Sequence, residues 1–294
     1  MLWIPTATAS PVLFGIGADN GGVPRAYYSI SIATSTAALI TDLGNGSTGF
    51  NGGMVSRPSD GLFYVIGNDN VPAGTLSTLS PVGTLNTVGL TDGLPAGFIG
   101  GLTLDTDNGF LYGIDTDSSG NSSLVKISAS TGQATFPGNS LGTNFTGVAF
   151  DPNNHLFYAI ATDLSGASTL YDFSLGAPPS QVGLIGGLGF GVGGLTFDSV
   201  GNLLYAVGNQ NNFGSQLDRI DLSGNLTPLF SLPDGFTEVA VFNAPPGVPE
   251  PSTGILLLSG IGAAIALRTL GIGYAGRSVN PAGSQKNNEI PNSD

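Results

Sequence analysis

The stretch "GGLTLDTDNGFLYGID" (Gly100–Asp115) sets two short apolar runs around a polar turn, and the same pattern returns three more times in the chain. Its companions are "GGMVSRPSDGLFYVIG" (52–67), "TGVAFDPNNHLFYAIA" (146–161) and "GGLTFDSVGNLLYAVG" (193–208), aligned without a gap. Tyr64, Tyr112, Tyr158 and Tyr205 fall at the same place in each, at steps of 48, 46 and 47 residues. That spacing is a repeat period. Each segment predicts a strand, a turn rich in Asp, Asn, Gly or Pro, and a second strand, which together make a hairpin. No 3.6-residue apolar period competes with this reading.

Downstream of each hairpin a third strand is predicted at "LSTLS" (76–80), "LVKIS" (124–128), "LYDFS" (170–174) and "LDRID" (217–221). A more variable fourth follows at "LNTVGL", "QATF", "QVGLIG" and "LTPLF". Four strands in about 46 residues is the size of one propeller blade. Near the start, "LFGIG" (13–17), "AYYSISI" (26–32) and "AALITDL" (37–43) supply strands two to four of a further blade, with no first strand ahead of them. The missing strand is found at the other end, where "FTEVAVF" (236–242) matches the first-strand motif "FTGVAFD" (145–151). The sequence therefore predicts an all-β fold over residues 13–243. It is a five-bladed β-propeller of four-stranded blades, whose first blade is closed by a C-terminal strand beside Leu13–Gly17.

Composition narrows the function. The 294 residues hold 47 Gly and 19 Pro, only 9% are charged, and 20 acids against 7 bases give a net charge of −13. Before Val248 there are 17 acids and only four bases (Arg25, Arg57, Lys126, Arg219), so the whole imbalance lies there. Such a surface repels phosphate backbones, and with no basic stripe to offset it, nucleic acid is excluded as a partner. The absence of cysteine removes disulfides, thiolate metal sites and cysteine nucleophiles. Residues 1–12, beginning "MLWIPTATAS", carry small residues like those around a signal-peptidase site, and are expected to be the remnant of a secretory signal.

At the sixth column of the repeat stand Arg57, Asp105, Asp151 and Asp198. An acid at a strand end before a turn accepts backbone N–H bonds and nucleates an Asx-type turn, which predicts a structural role; Arg57 breaks the pattern. His155, the single histidine, lies in a turn where the sister repeats have Gly61, Gly109 and Asn202, and is expected to be a turn residue. With no G-x-S-x-G motif, serine-hydrolase chemistry has little support. Paired carboxylates could serve glycoside hydrolysis, but acids repeated in register form a ring of equivalents rather than a distinctive pair. No catalytic residue and no cofactor are assigned. In "DTDSSGNSS" (115–123), Asp115, Asp117 and Ser119 alternate before Gly120 as in the start of a calcium loop, although Lys126 stands where a bidentate Glu belongs. They are the candidate calcium ligands, in a place where a polar turn is needed in any case. No T-x-T ladder suggests a flat ice-matching face.

The C-terminal part differs in kind. A Pro-rich linker (244–253) is followed by "GILLLSGIGAAIAL" (254–267), an uncharged run of 14 residues, shorter than the ~20 of a comfortable membrane span. Val248-Pro249-Glu250-Pro251, this apolar segment and the basic Arg268 behind it resemble the PEP-CTERM sorting signal. The resemblance covers residues 248 to 268. It implies a short apolar helix that stops transiently in the inner membrane of a Gram-negative bacterium producing extracellular polysaccharide. It further implies recognition by an exosortase, processing near the Pro-Glu-Pro triplet, and release or transfer to the cell surface. Here 26 residues follow Arg268, whereas family members stop soon after the helix; that tail (268–294) turns polar and is expected to be disordered.

The expected protein is thus an exported, non-enzymatic propeller acting at the cell surface or in the extracellular matrix as a structural or polysaccharide-binding module. The alternatives are a carbohydrate-active enzyme using propeller carboxylates and an ectodomain that keeps its membrane anchor.

Overall fold

The computed structural model describes residues 11–18, 24–43, 49–50, 52–67, 74–91, 99–136, 140–163, 165–186, 188, 192–209, 214–233 and 235–242. All of them belong to one compact unit, Met1–Val248; the second unit, Pro249–Asp294, lies outside them. The N-terminal segment 1–10, the sorting motif, the apolar run and the polar tail are therefore also outside the described residues.

Along the chain come β1 (Val12–Ala18), β2 (Pro24–Ser31) and β3 (Thr36–Asp42), then β4 (Met54–Arg57), β5 (Leu62–Gly67), β6 (Gly74–Leu79) and β7 (Leu85–Thr91). The third set is β8 (Ile99–Asp105), β9 (Phe110–Thr116), β10 (Asn121–Ile127), β11 (Ala134–Thr135) and β12 (Ser140–Thr143). The fourth is β13 (Phe145–Asp151), β14 (Leu156–Thr162), β15 (Ser168–Phe173) and β16 (Ser180–Leu184). The last is β17 (Val192–Asp198), β18 (Leu203–Asn209), β19 (Ser215–Ile220) and β20 (Leu226–Leu232), followed by β21 (Glu238–Val241).

These strands form five antiparallel sheets, and the fold is a five-bladed β-propeller. Blade 1 has the order β21-β1-β2-β3, joining both ends of the chain, with Leu13 opposite Val241 and Ile16 opposite Glu238. Blades 2, 4 and 5 are the continuous meanders β4–β7, β13–β16 and β17–β20. Blade 3 departs from the predicted single fourth strand. The "QATF" run yields only the two-residue β11, while β12 pairs with the other half of β10, so two short strands share one edge.

The inner strands β4, β8, β13, β17 and β21 contact one another in a closed ring. Each blade buries both faces against its neighbours, so its inner strands read as nearly continuous apolar runs rather than alternating ones. The second strand "LFYVIG" of blade 2 is buried almost throughout, whereas the outer strand "LNTVGLT" is half-exposed. The core is accordingly divided into five slabs, one at each blade interface. Phe14, Tyr27 and Phe63 lie between blades 1 and 2, Ile66, Leu102 and Leu111 between 2 and 3, and Tyr112, Phe145 and Phe157 between 3 and 4. Ile160, Leu195 and Leu204 fill the next interface, and Leu13, Val207 and Phe236 the one that returns to blade 1.

Two devices tighten the hub. The second repeat column is Gly53, Gly101, Gly147, Gly194 and, in blade 1, Glu238. At Gly101 (φ +70°) a Cβ would stand 2.9 Å from the backbone nitrogen of Val148 in the next blade, so only glycine permits this approach. Threonine hydroxyls then bind inner-strand amides across the interface: Phe150 N–H donates to Thr103 Oγ1 (2.8 Å) and Val241 N–H to Thr196 Oγ1 (3.1 Å). Serines of the third strands act similarly at the start of the next blade, with Phe145 N–H donating to Ser122 Oγ (3.0 Å) and Phe236 N–H to Ser215 Oγ (2.8 Å). At the rim, the third strand of each blade meets an outer strand through a register shift, in blade 3 with β12 and not with β11, and β20 contains Pro228. Bulges and prolines blunt edges that would otherwise recruit foreign strands.

Candidate functional site

The antiparallel meander puts the hairpin turns after the first strands at one end of the wheel, and the acid column lies there. Asp105 Oδ1 accepts the N–H of Asp107 (2.9 Å) and its Oδ2 accepts Asn108 Nδ2 (2.6 Å). Asp151 repeats the arrangement with Asn153 N–H and Asn154 Nδ2, both at 2.8 Å, and Asp198 Oδ1 accepts Val200 N–H at 3.0 Å. All three carboxylates are buried in their own turns. The structural role expected for this column is what the geometry displays.

Arg57 has a definite place in it. Its guanidinium forms a 3.0 Å ion pair with Asp60 and lies over the Tyr64 ring, 5.3 Å from the centroid. The acid of this turn has moved three residues on, where Asp60 Oδ1 also accepts Leu62 N–H (3.2 Å). The column tyrosines are all raised in pKa by burial. In blade 1, which has no turn between its first two strands, Phe242 replaces the acid and Phe14 the tyrosine, their rings 5.7 Å apart.

His155 adopts φ +57°, matching Gly61 (+71°), Gly109 (+73°) and Asn202 (+54°), and is a turn residue as expected. Its Nδ1 also meets Asp107 Oδ2 of the preceding blade, which holds the imidazole above its ordinary pKa. A companion contact, Asn153 Nδ2 to Ser199 O (3.1 Å), joins the turns of blades 4 and 5.

The candidate calcium residues divide between two settings. Asp115 is buried in β9, while Asp117 stands in the exposed turn beyond it. Asp117 Oδ1 accepts the N–H groups of Ser119 (2.8 Å) and Asn121 (2.9 Å), and Oδ2 accepts Asn121 Nδ2 (3.1 Å); these bonds lower its pKa, the Asn121 side chain most. Ser119 contributes its backbone to this turn. Among the described residues no group of three or more His, Cys, Asp or Glu could hold a metal ion.

The same loop recurs, unnoticed in the sequence. Asp163 Oδ1 accepts Ser165 N–H (2.8 Å) and Ala167 N–H (3.0 Å), and Asp221 Oδ1 accepts Ser223 N–H and Asn225 N–H, both at 2.9 Å. Both pKa values are lowered, chiefly by side-chain bonds from Ser165 and Asn225 respectively. The readable signal was D-x-S-G at 117–120, 163–166 and 221–224.

Two acids behave oppositely. Asp218, buried in β19, is pushed up to about 7, and Glu238, in the inner strand β21, to about 8, in both cases by burial. Sequence reasoning missed both, because neither belongs to a repeated acid column.

The comparisons with known proteins bear on the fold alone. A chain in the crystal structure of a nidogen/laminin complex superposes with a TM-score of 0.54 at 13% identity, covering 79% of this chain and 98% of that one. The likeness is one of architecture. TolB from Acinetobacter baumannii aligns at a TM-score of 0.48 and 12% identity (79% of this chain, 66% of that one). The periplasmic gluconolactonase of Pseudomonas aeruginosa aligns at 0.44 and 13% (76% and 83%). No protein-family model and no curated protein matches the chain.

Proposed function

We propose that this propeller is a non-enzymatic structural or binding module, exported and sorted through its C-terminal segment to the cell surface or matrix, where polysaccharide is the partner. The observation that carries the non-enzymatic reading is the use of the recurring carboxylates. Asp105, Asp151, Asp198, Asp117, Asp163 and Asp221 all serve hydrogen bonds within their own turns. A glycosidase needs two acids facing each other across a sugar, one holding a proton and one ionised. Two acids whose pKa burial raises lie in different blades, Glu238 at the hub in blade 1 and Asp218 on the third strand of blade 5. The exported setting rests on Val248-Pro249-Glu250-Pro251, the apolar run and Arg268. Sugar as the partner rests on that setting together with a surface rich in Asn, Thr and Asp, which can hydrogen-bond hydroxyls.

The test is fractionation and intact mass of the protein from its native host, followed by titration of the purified full chain with the host's own extracellular polysaccharide. A species cut near Pro249, outside the cell and binding the polymer unchanged, is the expected result. A full-length form held in membranes would overturn the sorting reading in favour of a permanent anchor. Depolymerisation would overturn the non-enzymatic one.

A further inference from the structure

Glu238 is the exception in the hub column. Four blades place glycine there, and the fifth places a carboxylic acid that is only 3% exposed. Its side chain reaches toward blade 2, where Gly53 N–H donates to the carboxyl, and its Oε2 is buried with no hydrogen-bond partner. The residue also ends the ladder that closes the wheel: β21 pairs with β1 over only Leu13–Ile16, with Glu238 opposite Ile16 and Thr237 N–H donating to Ile16 O (2.9 Å). We propose that Glu238 is a proton-controlled latch, holding the closing strand in the hub while its carboxyl is neutral and loosening it when the group ionises.

The physical reason is asymmetric solvation. A neutral carboxyl with one donor tolerates a dry site, whereas a carboxylate with a single N–H is strongly disfavoured there and is relieved by water. Burial moves the group from its ordinary 4.5 to about 8. No neighbouring charge among the described residues does so. Among the elements packed against β21, β1 carries no titratable side chain, and β4 and β17 carry Arg57 and Asp198, four columns away at the hairpin end. β18 carries Tyr205. None of these acts on Glu238: among the described residues it is burial that raises its pKa, against the Gly53 N–H that lowers it.

The sign follows from linkage. Because the folded-state value is raised, the latch's contribution is complete below about pH 4.5, falls as pH rises, and is lost once pH passes about 8. One proton bound in the closed state alone makes the opening constant rise by about tenfold per pH unit within that window.

Hydrogen exchange of the full chain, corrected for intrinsic rates and followed from pH 5 to pH 9, tests this. Segments 12–18 and 236–242 should lose protection with rising pH, then level off, while segment 147–160 of blade 4 does not. E238Q should abolish the dependence. Should E238Q fail to fold, E238G, which copies the other four blades, serves the same purpose. A pH-independent seam in the wild type, an unchanged dependence in the folded variant, or an equal loss in blade 4 would each overturn the latch.

Discussion

Blade 4 and blade 1 are built to one pattern by two different routes. In blade 4 the first strand turns directly into the second through Asp151-Pro152-Asn153-Asn154-His155, and the acid and the left-handed residue both serve that turn. In blade 1 the same two strands come from opposite ends of the chain, no turn joins them, and Phe242 and Phe14 occupy the places of the acid and the tyrosine. Where the hairpin is lost, its acid is lost too. The wheel therefore contains its own control: the aspartate column tracks the turns, not the circle, which a ring-shaped ligand site would have required.

The strongest way to break this comparison is at the seam. Phe236 is fully buried, and a Cβ added at Gly15 or Gly17 would meet its ring at 2.8 Å. Truncating Phe236→Ala is expected to cost about 3–5 kcal/mol in urea unfolding. A loss below about 1 kcal/mol would mean that the C-terminal strand contributes little to the closed wheel. In blade 4, Asp151→Ala removes the acceptor of two turn hydrogen bonds at a buried site and should cost about 2–3 kcal/mol. If Asp151→Ala were neutral to folding yet abolished polysaccharide binding, the turn interpretation of the column would be wrong.

Thr103→Val leaves the buried Phe150 N–H without its acceptor and is expected to cost about 1–2 kcal/mol, with Thr196→Val giving a similar figure at the seam through Val241. Markedly unequal losses would show that the seam and the continuous blades are latched differently. The smallest effect concerns His155. Its contact with Asp107 raises the imidazole pKa, so its contribution is present below the unfolded-state value and disappears as pH rises through the raised one. NMR titration should place the wild-type midpoint above 6.5, and Asp107→Asn should lower it.

Much of the fold was legible because the repeat reports itself twice, through strand pattern and through turn chemistry. The likeness of "FTEVAVF" to "FTGVAFD" was enough to place a strand pair separated by over two hundred residues. The divided edge of blade 3 was not legible, since "SLGT" has no apolar alternation and buries a single side chain, Leu141. Arg57 resisted reading because its explanation combines an acid three residues later with a ring on the next strand. The threonine latches stood in one column as Val55, Thr103, Ala149, Thr196 and Ala240, but their bonds cross 45 to 47 residues, beyond any local rule. Glu238 was visible as a mismatch to glycine, yet its meaning depends on how dry the hub is.

The hydrogen bond from Phe242 N–H to Val12 O (2.8 Å) has a mechanical implication. The polypeptide enters and leaves the wheel at adjacent points, so tension between Val12 and Phe242 loads the strand pair from one end, like a zipper. Bonds would then yield in succession rather than share the force, and a pull across those two points should peel off the last strand at low force, leaving the other four sheets standing until their neighbour has gone.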